Sequence, residues 1–181
     1  MYEELIRRWW IVGARGLVSV LVGVGLFTAR IDTLWILVSW FGVLALGDGI
    51  FAAGAGLAVG WMPLFLEGVV GMLVGVFTYV FPDAVRLWFV PLVVVWAVVT
   101  GVLALLSAEG LHRREPAARL GAGLLGIQGL VSIAFGLLFS VRPALGNLTG
   151  IVGAYALVSG AALVAFALNV RTWPKFVARA A

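Results

Sequence analysis

Three charged residues stand inside otherwise apolar stretches of this 181-residue sequence: Arg15, Asp48 and Glu67. An arginine can bind one carboxylate through two parallel hydrogen bonds. The second carboxylate would then lie desolvated beside a like charge, and both conditions favour its protonated form. These residue types therefore predict an ion pair in an apolar interior. They also lead to the hypothesis of a carboxylic acid that changes protonation at acidic pH.

The spacing of the three charges places them at one depth. Arg15 lies 15 residues before the turn at Arg30, and Asp48 lies 18 residues after it. Glu67 lies 15 residues before the corresponding turn at Pro82. Because a helix rises about 1.5 Å per residue, all three fall within one helical turn of the same level. An internal repeat adds three uncharged members to this predicted polar layer: Thr100, Gln128 and Ser159.

Two interpretations of the polar layer stay open. Polar side chains between membrane helices commonly hold those helices together, and each contributes under about 2 kcal/mol. A charge at a helix centre costs about 2.5–3.5 kcal/mol on insertion scales, so buried charges are also typical of proton and ion pathways. Arg15 lies six residues beyond Trp9 and could instead snorkel towards the nearer membrane face. We therefore expect either a structural layer or a proton-linked one.

The composition indicates that lipid surrounds these residues. Hydrophobic residues make up 64% of the chain and charged residues 11%, with a mean hydropathy of +1.17. A soluble domain carries about 25% charged residues, so this chain cannot cover itself with polar surface. The composition therefore excludes a soluble enzyme. The net charge of +4 does not indicate nucleic-acid binding, because the basic residues gather at the ends of apolar segments.

Six apolar segments are long enough to span a bilayer, which takes about 20 residues in a helix. They cover residues 9–28, 33–57, 61–81, 87–107, 120–140 and 146–168. Alternating polarity, which marks the strands of a membrane barrel, is missing from them. The predicted fold class is an all-α integral membrane protein with six transmembrane helices.

The basic residues are divided unevenly between the two ends of these helices. Counted without Arg15, eight lie on one side: Arg7, Arg8, Arg113, Arg114, Arg119, Arg171, Lys175 and Arg179. Three lie on the other: Arg30, Arg86 and Arg142. Because basic residues gather in cytoplasmic loops, this distribution predicts that both termini are cytoplasmic.

Three parts of the sequence align as copies of one helical hairpin. The first helices align at residues 15–19, 67–71 and 128–132, at offsets of 52 and 61 residues. The second helices align at Asp48-Gly49, Thr100-Gly101 and Ser159-Gly160, at offsets of 52 and 59. Each copy has two helices, so all three copies run the same way through the membrane, as a parallel repeat. We predict hairpins at about 9–57, 61–107 and 120–168 within a single transmembrane domain covering residues 1–181.

Small residues four apart recur in the first helix of each copy. The pairs are Ser19 with Gly23, Gly71 with Gly75, and Ser132 with Gly136. Small residues at this spacing let two helix backbones approach closely. We expect the first helices of the three hairpins to pack on one another through these faces, or each to pack on its own partner helix.

The order of these motifs resembles the HdeD family of bacterial inner-membrane proteins. The motifs are Arg8-Trp9-Trp10, the polar residue before glycine in each first helix, Phe81-Pro82 or Arg142-Pro143 in the hairpin turns, and the segment 153–160. Arg30 departs from the pattern, since it stands where the first hairpin would have its turn proline. The resemblance implies a multi-pass protein of a bacterial inner membrane with a role in acid or envelope stress. It implies no catalytic or binding residues.

The sequence lacks the residue combinations of familiar enzyme sites. It has no cysteine and one histidine, His112 in a charged loop, so we predict no metal site, no cofactor and no catalytic group. The leading expectation is a non-enzymatic protein that associates with the lipid bilayer and with itself or other membrane proteins, without a known small-molecule substrate. Two alternatives stay open: a small proton-linked transporter or channel that uses the polar layer, and an accessory subunit of a larger membrane complex.

Overall fold

The computed structural model describes residues 6–28, 34–114, 119–141 and 145–180. Arg30 and the Arg142-Pro143 turn lie outside these ranges. Six helices account for nearly all of the described chain: α1 Trp9–Thr28, α2 Leu34–Val59, α3 Met62–Val80, α4 Pro82–Arg114, α5 Arg119–Val141 and α6 Leu145–Ala180. Each is long and apolar enough to cross a membrane, and the described residues form no strand. The chain is an all-helical, multi-pass membrane protein, which confirms the predicted fold class.

A tight turn joins α2 to α3. Gly60 has φ of +67°, in the left-handed region that favours glycine after a helix end. The Trp61 N–H reaches back to donate a hydrogen bond to the Gly56 carbonyl at 2.8 Å. Pro63 follows in the first turn of α3, where its missing N–H leaves no helical bond unmade. Two residues therefore reverse the chain between these spans.

Two helices run further than the predicted spans. The span expected at 87–107 is the central part of α4, which begins at Pro82 and bends at Trp88, where φ is −106° and ψ is 19°. The bend lies just before Pro91, whose ring clashes with the carbonyl of the preceding turn. The last predicted span ended at residue 168, whereas α6 continues to Ala180. Polar residues beyond 168 end the apolar span, but a change in hydropathy does not by itself end a helix, and α6 continues through Asn169 and Arg171.

The helices form a closed ring in chain order, with α6 packed against α1. The most extensive contacts are α2 with α3, α4 with α5, and α6 with α1, and the contacts inside each predicted hairpin are smaller. The second helix of one hairpin thus packs most closely on the first helix of the next. The α6–α1 contact is the equivalent of the other two and closes the ring.

The three large contacts depend on paired glycines at repeat-equivalent positions: Gly16 with Gly160, Gly68 with Gly49, and Gly129 with Gly101. A Cβ atom at Gly16 would lie 2.8 Å from the Gly160 carbonyl oxygen. The corresponding distances are 2.6 Å from Gly68 to Gly49 and 2.7 Å from Gly129 to Gly101. Real Cβ atoms do not approach backbone this closely, so a side chain at any of these positions would force the helices apart.

The small residues expected at helix contacts lie on the same faces, but their partner helices differ from both expectations. A Cβ at Gly71 would meet the Ala45 carbonyl at 3.0 Å, and one at Gly75 would meet Leu46. Gly23 faces Leu157 and Gly136 faces Ala97 in the same way. Ser19 and Ser132 are buried. The first helices therefore pack neither on one another nor chiefly on their own partners, but on the second helix of the neighbouring hairpin.

Two apolar clusters fill the ring on either side of the polar residues. One contains Phe41, Phe89 and Phe139, whose rings meet edge to face at centroid distances of 5.5 and 5.9 Å. The other contains Trp61 and Phe166. Both clusters include residues of α1 and α2. Along α1, Arg15 lies between the residues of one cluster and those of the other, and along α2, Asp48 does the same.

Substitution of Gly68 by alanine should separate α3 from α2. Its Cβ would lie 2.6 Å from the Ala53 Cα atom, and backbone on both sides leaves little room to adjust. We expect Gly68→Ala to lower the free energy of unfolding by about 1–3 kcal/mol, the usual cost of overpacking. Thermal unfolding in detergent, monitored by the helical circular dichroism signal, measures this loss of stability.

Gly54→Ala is the matched control, because a Cβ at Gly54 meets nothing within 4 Å. This variant should unfold at the native temperature or above it, since alanine forms helix better than glycine by about 1 kcal/mol. Equal destabilisation by the two substitutions would contradict the packing role of Gly68.

Candidate functional site

Arg15, Asp48 and Glu67 meet inside the ring and are called the ion triad below. The Arg15 guanidinium donates from Nε to Asp48 Oδ1 at 2.6 Å and from Nη2 to Asp48 Oδ2 at 2.8 Å. Nη2 also donates to Glu67 Oε1. The two bonds to Asp48 form the parallel fork that makes arginine–carboxylate pairs strong and directional. One cation from α1 is therefore shared by carboxylates from α2 and α3.

The ion triad is buried and its charge is unbalanced. Arg15, Asp48 and Glu67 are 3%, 8% and 2% exposed. No other carboxylic acid or basic side chain is buried among the described residues, so the interior holds one basic and two carboxyl groups. Arg15 points to its two carboxylates and does not snorkel, because the paired carboxylates compensate its charge better than a partial approach to the membrane face.

Helix geometry explains why these side chains point inwards. Each triad residue immediately precedes one of the contact glycines: Gly16, Gly49 or Gly68. Successive residues on a helix are turned by about 100°, since there are about 3.6 residues per turn. When the glycine faces the neighbouring helix, the residue before it is turned towards the ring interior. A polar residue followed by glycine therefore places the glycine at the helix contact and turns the polar side chain towards the ring interior.

The other three members of the polar layer are buried, but they form separate groups. The Ser159 hydroxyl donates to Gln128 Oε1 at 3.2 Å. This bond joins the two helices of the third hairpin, as Arg15–Asp48 joins those of the first. Thr100 donates to the Trp96 carbonyl at 2.8 Å and lies 3.3 Å from the Ser132 hydroxyl. Among the described residues, no hydrogen bond links Thr100 to Glu67, whose carboxylate instead contacts Arg15.

Tyr155 belongs to this buried polar group, although the sequence analysis missed it. Its hydroxyl lies 3.2 Å from Ser132 Oγ, and Ser132 in turn donates to the Ala97 carbonyl at 2.9 Å. Tyr155 therefore supplies the proton in the bond between the two hydroxyls. A sequence signal existed, because Tyr155 lies four residues before Ser159 and residues at this spacing share a helix face.

A small cavity touches the ion triad on one side. It measures about 20 Å³, and Arg15 is the one charged residue in a lining that also includes Val12, Trp61 and Leu125. This volume is enough for a single water molecule, which needs roughly 10–15 Å³. The cavity gives the guanidinium space for one additional hydrogen-bonding partner beyond its two carboxylates. The described residues contain no group of three His, Cys, Asp or Glu side chains that could hold a metal ion.

Removal of the cation should destabilise the ring more than neutralisation of the whole ion triad. Arg15→Gln leaves two buried carboxylates without their partner, and breaking a buried ion pair costs about 3–5 kcal/mol. The triple variant Arg15→Gln, Asp48→Ser, Glu67→Gln gives the first hairpin the pair that the third uses, Gln128 and Ser159, and gives the second hairpin the equivalent of Gln128. We expect it to recover most of the loss in thermal unfolding experiments. A triple variant no more stable than Arg15→Gln would contradict an electrostatic origin.

Comparison with known protein families gives a match over the centre of the chain. The family described as "Short repeat of unknown function (DUF308)" matches residues 66–141. This segment begins in α3, ends with α5, and contains Glu67, Thr100 and Gln128. No curated protein and no solved structure matches the chain. Part of the polar layer thus lies in a segment similar to a short repeat of unknown function.

Proposed function

We propose that this chain is a non-enzymatic, HdeD-like protein of a bacterial inner membrane that acts in acid or envelope stress. The observation that carries the proposal is the ion triad, in which one arginine is shared by two carboxylates inside an apolar ring. Such a group responds to protons without needing a substrate, a cofactor or a catalytic residue. The family match supports the same assignment, because this short repeat is the domain of HdeD-like proteins.

The charge count links the ion triad to acidity. The triad carries a net charge of −1 when all three groups are ionised, and it becomes neutral when one carboxylate holds a proton. An uncompensated charge in an apolar interior is costly, so proton uptake relieves an unfavourable state. Acidification thus favours the neutral form, in which one arginine faces one carboxylate. The protein would sense protons through the packing of α1, α2 and α3.

The packing around the ion triad favours this role over proton transport. A pathway normally needs polar groups at several depths. Here an apolar cluster containing Phe41 and Phe89 lies on one side, and on the other lies a cavity for a single water. The proposed output is therefore a change in helix packing, passed to lipid, to a second copy or to another membrane protein through the outer face of the ring.

The orientation proposed for the protein has both termini in the cytoplasm. Among the described exposed residues, Arg7, Arg8, Arg113, Arg119 and Arg171 lie towards the end of the ring where α1 begins and α6 ends. Arg86 lies towards the other end, near the start of α4. Basic residues of multi-pass proteins gather on the cytoplasmic side.

The decisive variant is Glu67→Gln, which fixes the ion triad in its neutral form. We expect bacteria that produce the native chain to survive an acid challenge better than bacteria without it. We expect Glu67→Gln to remove that advantage, because the proposed output is the change in packing that proton uptake drives, and this variant has no carboxylate at residue 67 to take up the proton. The fold should tolerate a glutamine at position 67, because Gln128 occupies the equivalent position in the third hairpin. Survival counts after acid exposure, with membrane levels of each variant matched by immunoblot, measure the effect.

Glu109→Gln is the matched control, since it makes the same chemical change in an exposed pair with Arg113. It should leave acid survival at the native level. Equal survival with Glu67→Gln and the native chain would contradict the proposal. Proton flux into liposomes that contain the native protein, and its loss in Glu67→Gln, would replace the proposal with proton transport.

A further inference from the structure

An apolar groove runs along the outer face of the α6–α1 contact. It has a volume of about 370 Å³ and is lined by Trp9, Trp10, Gly13, Leu17, Val164 and Leu168, among others. Trp10, Leu17 and Leu168 are 57%, 54% and 48% exposed, so its walls face the surroundings of the ring. From Trp9 to Leu17 the groove extends roughly 12 Å along the helix axis, at about 1.5 Å per residue. Its shape suits a linear hydrocarbon chain.

A basic residue, Arg171, lies beside one end of the groove. The Arg171 guanidinium carbon lies 4.8 Å from the centre of the Trp9 ring, a cation–π contact that holds the charged group beside the groove wall. Arg171 is exposed, as are Arg7 and Arg8 just before α1. Tryptophan and arginine in this arrangement are typical of the level of lipid headgroups. The positive charge therefore lies at the polar end of an apolar groove.

The repeat provides an internal comparison, because neither equivalent contact combines these features. At the α2–α3 contact, Phe65 stands in place of Gly13 and packs closely on Gly56, where a Cβ would lie 2.6 Å from the Phe65 Cα atom. Gly60 there takes the place of Arg171. At the α4–α5 contact, the equivalents of Arg171 and Trp9 are His112 and Ala122. Ring packing therefore does not require either the groove or the cation.

We propose that this groove binds one anionic phospholipid, with its phosphate at Arg171 and one acyl chain along Gly13 and Leu17. The guanidinium matches a phosphate in charge and in hydrogen-bonding geometry. Basic residues beside a membrane-facing groove are the usual means by which membrane proteins select anionic lipids. The missing side chain at Gly13 leaves the space for the chain. The site is separate from the ion triad, and it stands whether or not that triad acts in acid resistance.

Native mass spectrometry of the full detergent-solubilised chain tests the site. The probes are phosphatidylglycerol, phosphatidylcholine with the same acyl chains, and glycerol 3-phosphate as the headgroup alone. We expect one retained phosphatidylglycerol and much weaker retention of the other two probes. Arg171→Gln should weaken retention about fivefold, as expected for loss of one basic residue beside an anionic lipid. Gly13→Phe should reduce retention by filling the groove with the side chain that the second hairpin already uses.

Arg113→Gln is the matched control, because it removes an exposed positive charge away from the groove. It should retain phosphatidylglycerol as the native chain does. Equal retention of phosphatidylcholine, or an equal loss with Arg113→Gln, would overturn the proposal in favour of unselective lipid or diffuse charge. Equal binding of glycerol 3-phosphate would show that the groove contributes nothing. Arg171 is exposed, so Arg171→Gln should fold normally. The test therefore still stands if Gly13→Phe fails to fold.

Discussion

Close backbone contact between helices of neighbouring hairpins is the constraint on which this structure depends. Hydrocarbon solvates leucine and valine as well as another helix does, so burial of apolar surface does not drive helices together within a membrane. Association must come from close packing, and the paired glycines allow it. Because the first helix of each copy packs on the previous copy, the first copy would lack a partner in an open arrangement. Packing of α6 on α1 supplies that partner, and the ring closes after three copies.

The same contacts determine where the polar residues lie. A residue that precedes a contact glycine is turned away from the neighbouring helix and into the ring, so polar groups at six equivalent positions become buried together. In the third hairpin they form a neutral bond between Gln128 and Ser159. In the first, Arg15 bonds Asp48 and also draws Glu67 away from the Thr100 of its own hairpin. The charges break the threefold pattern without altering the packing that supports it.

The sequence was sufficient for the helices and for the depth of the charges, because apolar length and rise per residue determine both. It was insufficient for the partners of the glycine faces. An alignment shows that Gly23, Gly75 and Gly136 are equivalent, but equivalence does not say which copy each face packs on. The end of α6 was also missed, since hydropathy marks the end of a membrane span and not the end of a helix. Tyr155 was missed because its equivalents, Trp96 and Leu44, are not hydroxyl-bearing residues.

Positions that the three copies share are explained by packing, so specific function is best sought where the copies differ. Two such differences are large, and both involve α1. Arg15 is the only basic residue among the equivalent buried positions. Among the three equivalent helix contacts in the described structure, only the α6–α1 contact has an arginine stacked on a tryptophan, and this contact forms the groove beside Gly13. A rigid movement of α1 would change both at once, because it carries the cation of the ion triad on one face and the groove wall on another. Helix α1 is therefore the element through which the buried charge and the lipid proposed for the groove can influence each other.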